Sequence, residues 1–299
     1  MADPRDLLLH SATRQGESAS LITVTPESAS WVYCSLNVVS LTQGASWTGS
    51  SGGEELGLVV LGGSCQISSG GETWTLAGRA GIFAGQPWAL YLPIGSDYEI
   101  RATGDLEIAI CGAKAERPFP ARLITPNDVA VEIRGAGNAA RQINHIIKPE
   151  FPADKLLIVE VFTPSGNWSS FPPHKHDVSR MPEESILEEI YYYRINPDDG
   201  FALQRLYTAD GRIDEAYVIH DGDLLLVPEG YHAFAVAHGY TGYYLNILAG
   251  PEPVRTMQPA DDPAYHWTRA TWTDEQNGGA ATWREIDRNV NRGAGERTV

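Results

Sequence analysis

The chain has 299 residues, of which 42% are hydrophobic and 20% charged, and a formal charge of −16; that length suits one large domain or two ordinary ones, each able to bury a core. So acidic a surface repels phosphate backbones, which excludes nucleic acid as the expected partner. The longest apolar runs, 224–227 and 247–249, are far too short to cross a bilayer, and the opening Met1-Ala-Asp-Pro-Arg-Asp6 is no secretory signal, so the expected compartment is the cytoplasm.

In chain order, short β-type segments separated by Gly, Pro and Asp fall at 56–61, 64–68, 72–76, 80–83, 89–92, 98–102 and 106–110. The pattern resumes at 156–162, 189–194, 201–207, 215–220, 223–227, 233–237 and 242–248. Turn residues at this spacing predict an all-β sandwich or barrel. Two β units of similar size follow, joined near 115–135, and assigned here as domains 1–128 and 129–270 with a polar tail at 271–299. Gly78 to Pro87 echoes His220 to Pro228, each a glycine turn, an apolar strand and a proline turn, which points to a duplication. One helical turn is expected in the tail at 283–287.

Between the units, 129–134 runs into Gly135-Ala-Gly137-Asn-Ala-Ala140, and Glu160 closes an apolar stretch further on. That spacing is similar to a dinucleotide-binding βαβ unit. A polar helix would have to fit before Pro149, and no further βαβ unit follows, so the segment reads as a glycine-rich turn. The three cysteines, Cys34, Cys65 and Cys111, are widely spaced, form no CxxC pair and have no neighbouring His or Lys, as reduced core thiols would. Asn167-Trp-Ser169 is a glycosylation sequon without meaning unless the chain is secreted.

The chemistry gathers in the second unit. Of eight histidines only His10 precedes His145, so the first unit has no imidazole of its own for a metal. Pro172-Pro-His174-Lys-His176-Asp177 places two imidazoles at i and i+2, on one face of a strand that the prolines should start. Alone, that pair is equally explained by two solvated histidines. Downstream, Glu189 enters a strand while Glu183 and Glu184 sit in a loop-like stretch and Glu188 faces the other way. Pro228-x-Gly230-x-His232 then presents a third imidazole. His174, His176, Glu189 and His232 form an N3O donor set suited to zinc, manganese, iron or nickel.

The HxH, Glu and PxGxH order resembles the two short motifs of the cupin superfamily, and the duplicated units resemble a bicupin. Twelve residues, 177–188, separate His176 from Glu189, and the second motif is one residue short of the common form. Both departures are similar to the 5-deoxy-glucuronate isomerases of bacterial myo-inositol catabolism. So are 166–177, 187–194, 230–232 and 239–251, with the resemblance covering about 6–270. It implies an aldose–ketose isomerisation of 5-deoxy-D-glucuronate to 2-deoxy-5-keto-D-gluconate, in a two-barrel fold whose N-terminal barrel is structural. An Fe(II) dioxygenase or a non-catalytic sugar-binding bicupin would use the same fold.

Three neutral imidazoles and one carboxylate leave a divalent cation, zinc first with manganese or iron as alternatives, a net charge near +1, suited to an enediolate. Strand alternation puts Tyr191 and Tyr193 on the face of Glu189, as candidate proton donors or core residues. The substrate, a small sugar acid, also needs a cation for its carboxylate. Candidates are Arg194, Arg205 and, third because alternation turns it away, Lys175. Gln204 or Arg205 faces inward according to a register the sequence leaves open. Tyr244 and Asn246 are placed at the pocket mouth, and His145, close after Arg141, is within reach from the segment between the units. Barrels of this kind pair through strand edges, so a homo-oligomer is expected.

Overall fold

The computed structural model describes residues 4–272; the expected helical turn at 283–287 lies outside the described residues. The first half carries β1 (Leu8–His10), β2 (Ser18–Val24), β3 (Cys34–Leu41), β4 (Ser46–Ser50), β5 (Glu54–Ser69), β6 (Glu72–Arg79), β7 (Ala89–Leu92), β8 (Asp97–Ala102), β9 (Leu106–Lys114) and β10 (Arg122–Ile124). The second carries β11 (Ala130–Arg134), β12 (Arg141–Ile147), β13 (Leu157–Thr163), β14 (Trp168–Lys175), β15 (Glu188–Asn196), β16 (Ala202–Tyr207), β17 (Asp214–Ile219), β18 (Asp223–Val227), β19 (Tyr231–Val236), β20 (Thr241–Ala249) and β21 (Ala260–Asp261). Among the described residues no helix is long and apolar enough to cross a membrane.

The duplication is visible in the strand order. One sheet of the first half runs β10-β7-β5-β9-β3-β2, and its counterpart in the second runs β1-β18-β15-β20-β13-β12-β11. The two smaller faces also match: β6, the far end of β5, β8 and β4 correspond to β17, β16, β19 and β14. One edge strand crosses between the halves. β1, from the chain start, pairs with β18 of the second half, while β10, from the joining segment, closes the first.

Strand by strand, the expectations at 56–61 and 64–68 merge into the single β5. It bends between sheets at Gly62–Gly63, where the register shifts twice and a side chain on Gly63 would strike the Asp105 carbonyl. The segment at 80–83 is a turn rather than a strand. The position of β18 in the first half is therefore taken by β7, followed by Pro93, and the echo between 78–87 and 220–228 is displaced by a few residues. At 135–140 there is a turn ending in one short 3₁₀ segment, Gly137–Ala139, with no βαβ helix.

The interior of the first half is apolar, filled by Leu56, Leu58, Val60, Ile67, Tyr98 and Ile100. The outer faces of the two large sheets pack on each other, with Leu36, Val38, Val59 and Cys111 against Ile158, Ile190, Tyr192 and Ile247 in one continuous core. That is why β13 and β20 are buried on both faces. Two carboxylates pin this junction reciprocally. Glu188 on β15 accepts the backbone N–H groups of Val32, Tyr33 and Cys34 at 2.7–2.9 Å. Glu55, at the equivalent place on β5, accepts those of Asp154, Lys155 and Leu156, together with the Tyr91 hydroxyl.

Candidate metal centre

β14 and β19 lie side by side with His174 directly opposite His232, and His176 follows just past the end of β14. The expected strand start at the prolines is not what the structure shows: β14 runs from Trp168 through Pro172 and Pro173. The ladder to β19 is broken between Ser169 and His174, so neither proline is asked for an N–H. Ring centroids of His174 and His232 are 4.6 Å apart, and ligand nitrogens of the three histidines lie within 4.8 Å of one another. Glu189 comes from β15 in the facing sheet, with Oε2 3.1 Å from His232 Nε2.

The local bonding leaves these atoms for a ligand. His174 and His232 each direct Nδ1–H at a backbone carbonyl two residues earlier, Pro172 at 3.3 Å and Gly230 at 3.2 Å, which orients the opposite nitrogen. His176 Nδ1 is buried with no hydrogen-bond partner, and the buried His232 Nε2 and Glu189 Oε2 meet no group but each other. Buried polar atoms are almost always satisfied, so an unmet imidazole nitrogen beside two further imidazoles, with a carboxylate in contact with one of them, fits a cation's donor set. Burial, helped by the neighbouring imidazoles His232 and His176, pushes His174 well below its ordinary range, and burial also lowers His176. Both are thus neutral imidazoles. Burial works to raise the Glu189 carboxyl, but His232, His176 and His174 around it bring it to about 2, so it is an anion. Burial opposes the charge on His232 and Glu189 favours it, with a net rise.

The cluster opens on a cavity of about 870 Å³, bounded by the inner face of the large sheet and by the chain from Thr256 to Arg269. Tyr191, Tyr244 and Asn246 line it, and the Ser170 hydroxyl lies 3.2 Å from both Tyr191 and Tyr244 hydroxyls. Tyr193 is behind, stacked between Tyr191 and Phe234 with no partner for its hydroxyl. Gln204 points into the same interior, fully buried, and does not line the cavity.

The candidate cations lie elsewhere. Arg194 faces out of the barrel, bound to Glu107 of the first half at 2.7 Å and to Asp221. Arg205, next to the inward Gln204, is on the outer surface with Asp214. Lys175 turns away from the histidines to Glu184 and Asp177. Each is spent on an acid because alternation sends it to the opposite face. The cavity takes its cations from residues outside that set, Arg134, Arg141 and Arg269, and is also lined by His145 and His266. Among the described residues the first unit holds no such centre. By register, Leu56 and Tyr98 occupy the places of Glu189 and His232. All three cysteines are buried, with thiol pKa values pushed up by burial, Cys65 to about 12.

Two β units of one strand order in a single chain, with an imidazole cluster in the second, define a bicupin with, among the described residues, one metal-type cluster. The model of the KduI/IolB family matches residues 7–268, and the chain belongs to that family. It is 48% identical over 253 residues to a 5-deoxy-glucuronate isomerase of Geobacillus thermodenitrificans, covering 84% of this chain and 92% of the relative. To the enzyme of that name from Bacillus subtilis strain 168 it is 38% identical over 247 residues, covering 82% and 90%. Among solved structures, an IolB-like protein of Salmonella typhimurium superposes with a TM-score of 0.84 at 36% identity, covering 88% of this chain and 98% of that one. Lactobacillus farciminis oxalate decarboxylase, at 13% identity and TM-score 0.61 over 94% and 96%, shares the fold alone.

Proposed function

We propose that this protein is a metal-dependent aldose–ketose isomerase that converts 5-deoxy-D-glucuronate to 2-deoxy-5-keto-D-gluconate. The observation that carries the reading is the buried cluster of His174, His176, His232 and Glu189, three of which line a cavity and one of which, His176, keeps Nδ1 without a partner, in a chain from a family with isomerases of that name. His174, His176, His232 and Glu189 would hold the cation, and three imidazoles with one carboxylate suit zinc first, manganese or iron next. When bound, the cation supplies stabilisation of negative charge developing on the substrate's oxygens.

The chain's own groups do the rest. Burial keeps the Tyr191 and Tyr193 hydroxyls well above their ordinary pKa, so neither is a base. Tyr191, on the cavity wall, is placed to hand its hydroxyl proton to the former carbonyl oxygen and take the proton of the neighbouring substrate hydroxyl in the same relay, so that it ends neutral. His145 also lines the cavity, and Glu132 binds its Nε2 at 2.9 Å. With Nε2–H donated to that carboxylate, Nδ1 is the acceptor that takes the proton from the hydroxyl-bearing carbon and returns it to the former carbonyl carbon. The segment from Thr256 to Arg269 covers the cavity and keeps water from the intermediate. The expected homo-oligomer is supported by Leu203 and Val218, paired and exposed on the outer face of β16 and β17, with exposed Phe201 just before β16; light scattering of Leu203→Glu should show a smaller particle than wild type.

NMR of the purified protein with 5-deoxy-D-glucuronate tests the activity. A keto product should appear, vanish after chelation and return with zinc. His176→Ala should lose both stoichiometric metal and turnover. A metal-replete protein that forms no product would overturn the reading, and a His176→Ala variant that keeps its metal would overturn the ligand set.

A further inference from the structure

We propose that Arg141 is the receptor for the substrate's terminal carboxylate, and that the glycine turn at 135–140 is built to aim it. The identity of the ligand rests on the isomerase reading; the anion site itself rests on the geometry.

Arg141 opens β12 on the inner face of the large sheet and lines the same cavity as the histidines, although only 5% of it is exposed. Among the described residues it makes no ion pair. Its contacts are one hydrogen bond from Nη1 to the Ala139 carbonyl at 3.0 Å and the Trp272 ring at 5.7 Å, and the Glu132 carboxylate, which acts on it through space, is bonded to Arg134 and His145 instead. The other arginines of the cavity are neutralised: Arg134 by a two-pronged contact to Glu132, Arg269 by one to Asp261. Arg79, the other deeply buried arginine, is matched by Glu160. A guanidinium in a low-dielectric wall without a counterion is costly, and the missing anion is the kind of group a ligand brings. Burial lowers its pKa to about 10, which still leaves it charged at neutral pH.

Its placement fits an open-chain sugar acid. From the metal-type cluster, polar groups continue along the wall through Tyr191, Ser170 and Tyr244, and the Tyr244 hydroxyl feels both Glu189 and Arg141. A substrate laid on this strip has its aldehyde end at the histidines and its carboxylate at the arginine, whose planar fork matches a carboxylate in two bonds. The turn supplies the aim. Gly135 has φ +83°, and a Cβ there would collide with the Ala139 carbonyl and stand 2.8 Å from Arg141 Nη1. The glycine-rich sequence therefore lets the guanidinium lie against its own turn and face the cavity.

The test compares wild type, Arg141→Gln and Arg141→Lys on 5-deoxy-D-glucuronate and on its neutral C6 amide, with melting temperatures to confirm folding. Arg141→Gln should raise KM for the acid by roughly 10–100-fold with a smaller change in kcat. Arg141→Lys should recover part of the loss, and the amide should be handled equally by all three proteins. An unchanged KM for the acid, or equal losses on acid and amide, would overturn the proposal. If wild type turns over neither compound, the isomerase reading fails, and calorimetry with D-glucuronate then decides the anion site. Binding to wild type that Arg141→Gln loses supports the site; binding that persists, or no binding to either protein, removes it.

Discussion

Glu132 shows how much one carboxylate can organise, since it accepts from His145 Nε2 and from both prongs of Arg134. The His145 bond, then Arg134, outweigh its partial burial and hold its pKa down to about 2 from an ordinary value of 4.5. A depressed carboxylate contributes stability that is fully present above the unfolded value and is lost as pH falls towards the folded one. The side chain is 39% exposed, so screening cuts the contribution to about 1 kcal/mol. In urea denaturation, Glu132→Gln should be less stable than wild type by that amount at pH 7, with the gap closing between pH 4.5 and 2. A gap that persists at pH 2 would remove the ion-pair account. At the same scale, adjacent residues divide their labour by alternation: Glu189 turns in to the histidines and Glu188 out to the first half. That division was readable from the strand pattern, because a period of two needs no knowledge of neighbours. The destination of Arg194 was not, because its acids, Glu107 and Asp221, lie far from it in sequence.

Among the elements, β14 and the turn before β12 are the informative pair. The HxH spacing was legible, but the prolines were misleading: they sit inside the strand, where the broken ladder tolerates them. The turn at 135–140 was read as a turn, and its task is visible only with Arg141 folded against it. Gly135→Ala should therefore cost roughly 1–3 kcal/mol of backbone strain and raise KM for the acid substrate by shifting the guanidinium. Thermal melts and steady-state kinetics on one preparation would check both; a stable variant with wild-type KM would show that the turn does not aim Arg141.

At the scale of the whole molecule, the halves are held by matched devices, the core between their large sheets and the clamps of Glu55 and Glu188. Three backbone donors converge on each carboxylate, so replacing one with an amide brings an N–H against N–H groups and leaves donors unmet. Glu188→Gln and Glu55→Gln should each lower unfolding free energy by roughly 2–4 kcal/mol, read from the urea midpoint. If either is neutral, water replaces the clamp and the apolar core alone joins the halves.

The sequence by itself determined the all-β class, the duplication, the half that carries the histidines and the candidate ligands. Those follow from local periodicity, turn residues and short motifs, which act over a few residues. Only the tertiary structure decided that β1 crosses to the edge of the second half, that Arg194 and Arg205 are spent on surface and junction pairs, and that Arg141 and His145 face the cavity. Those outcomes depend on which distant acid meets which base once the sheets close, and pairing across a hundred residues leaves no mark in the spacing of either partner.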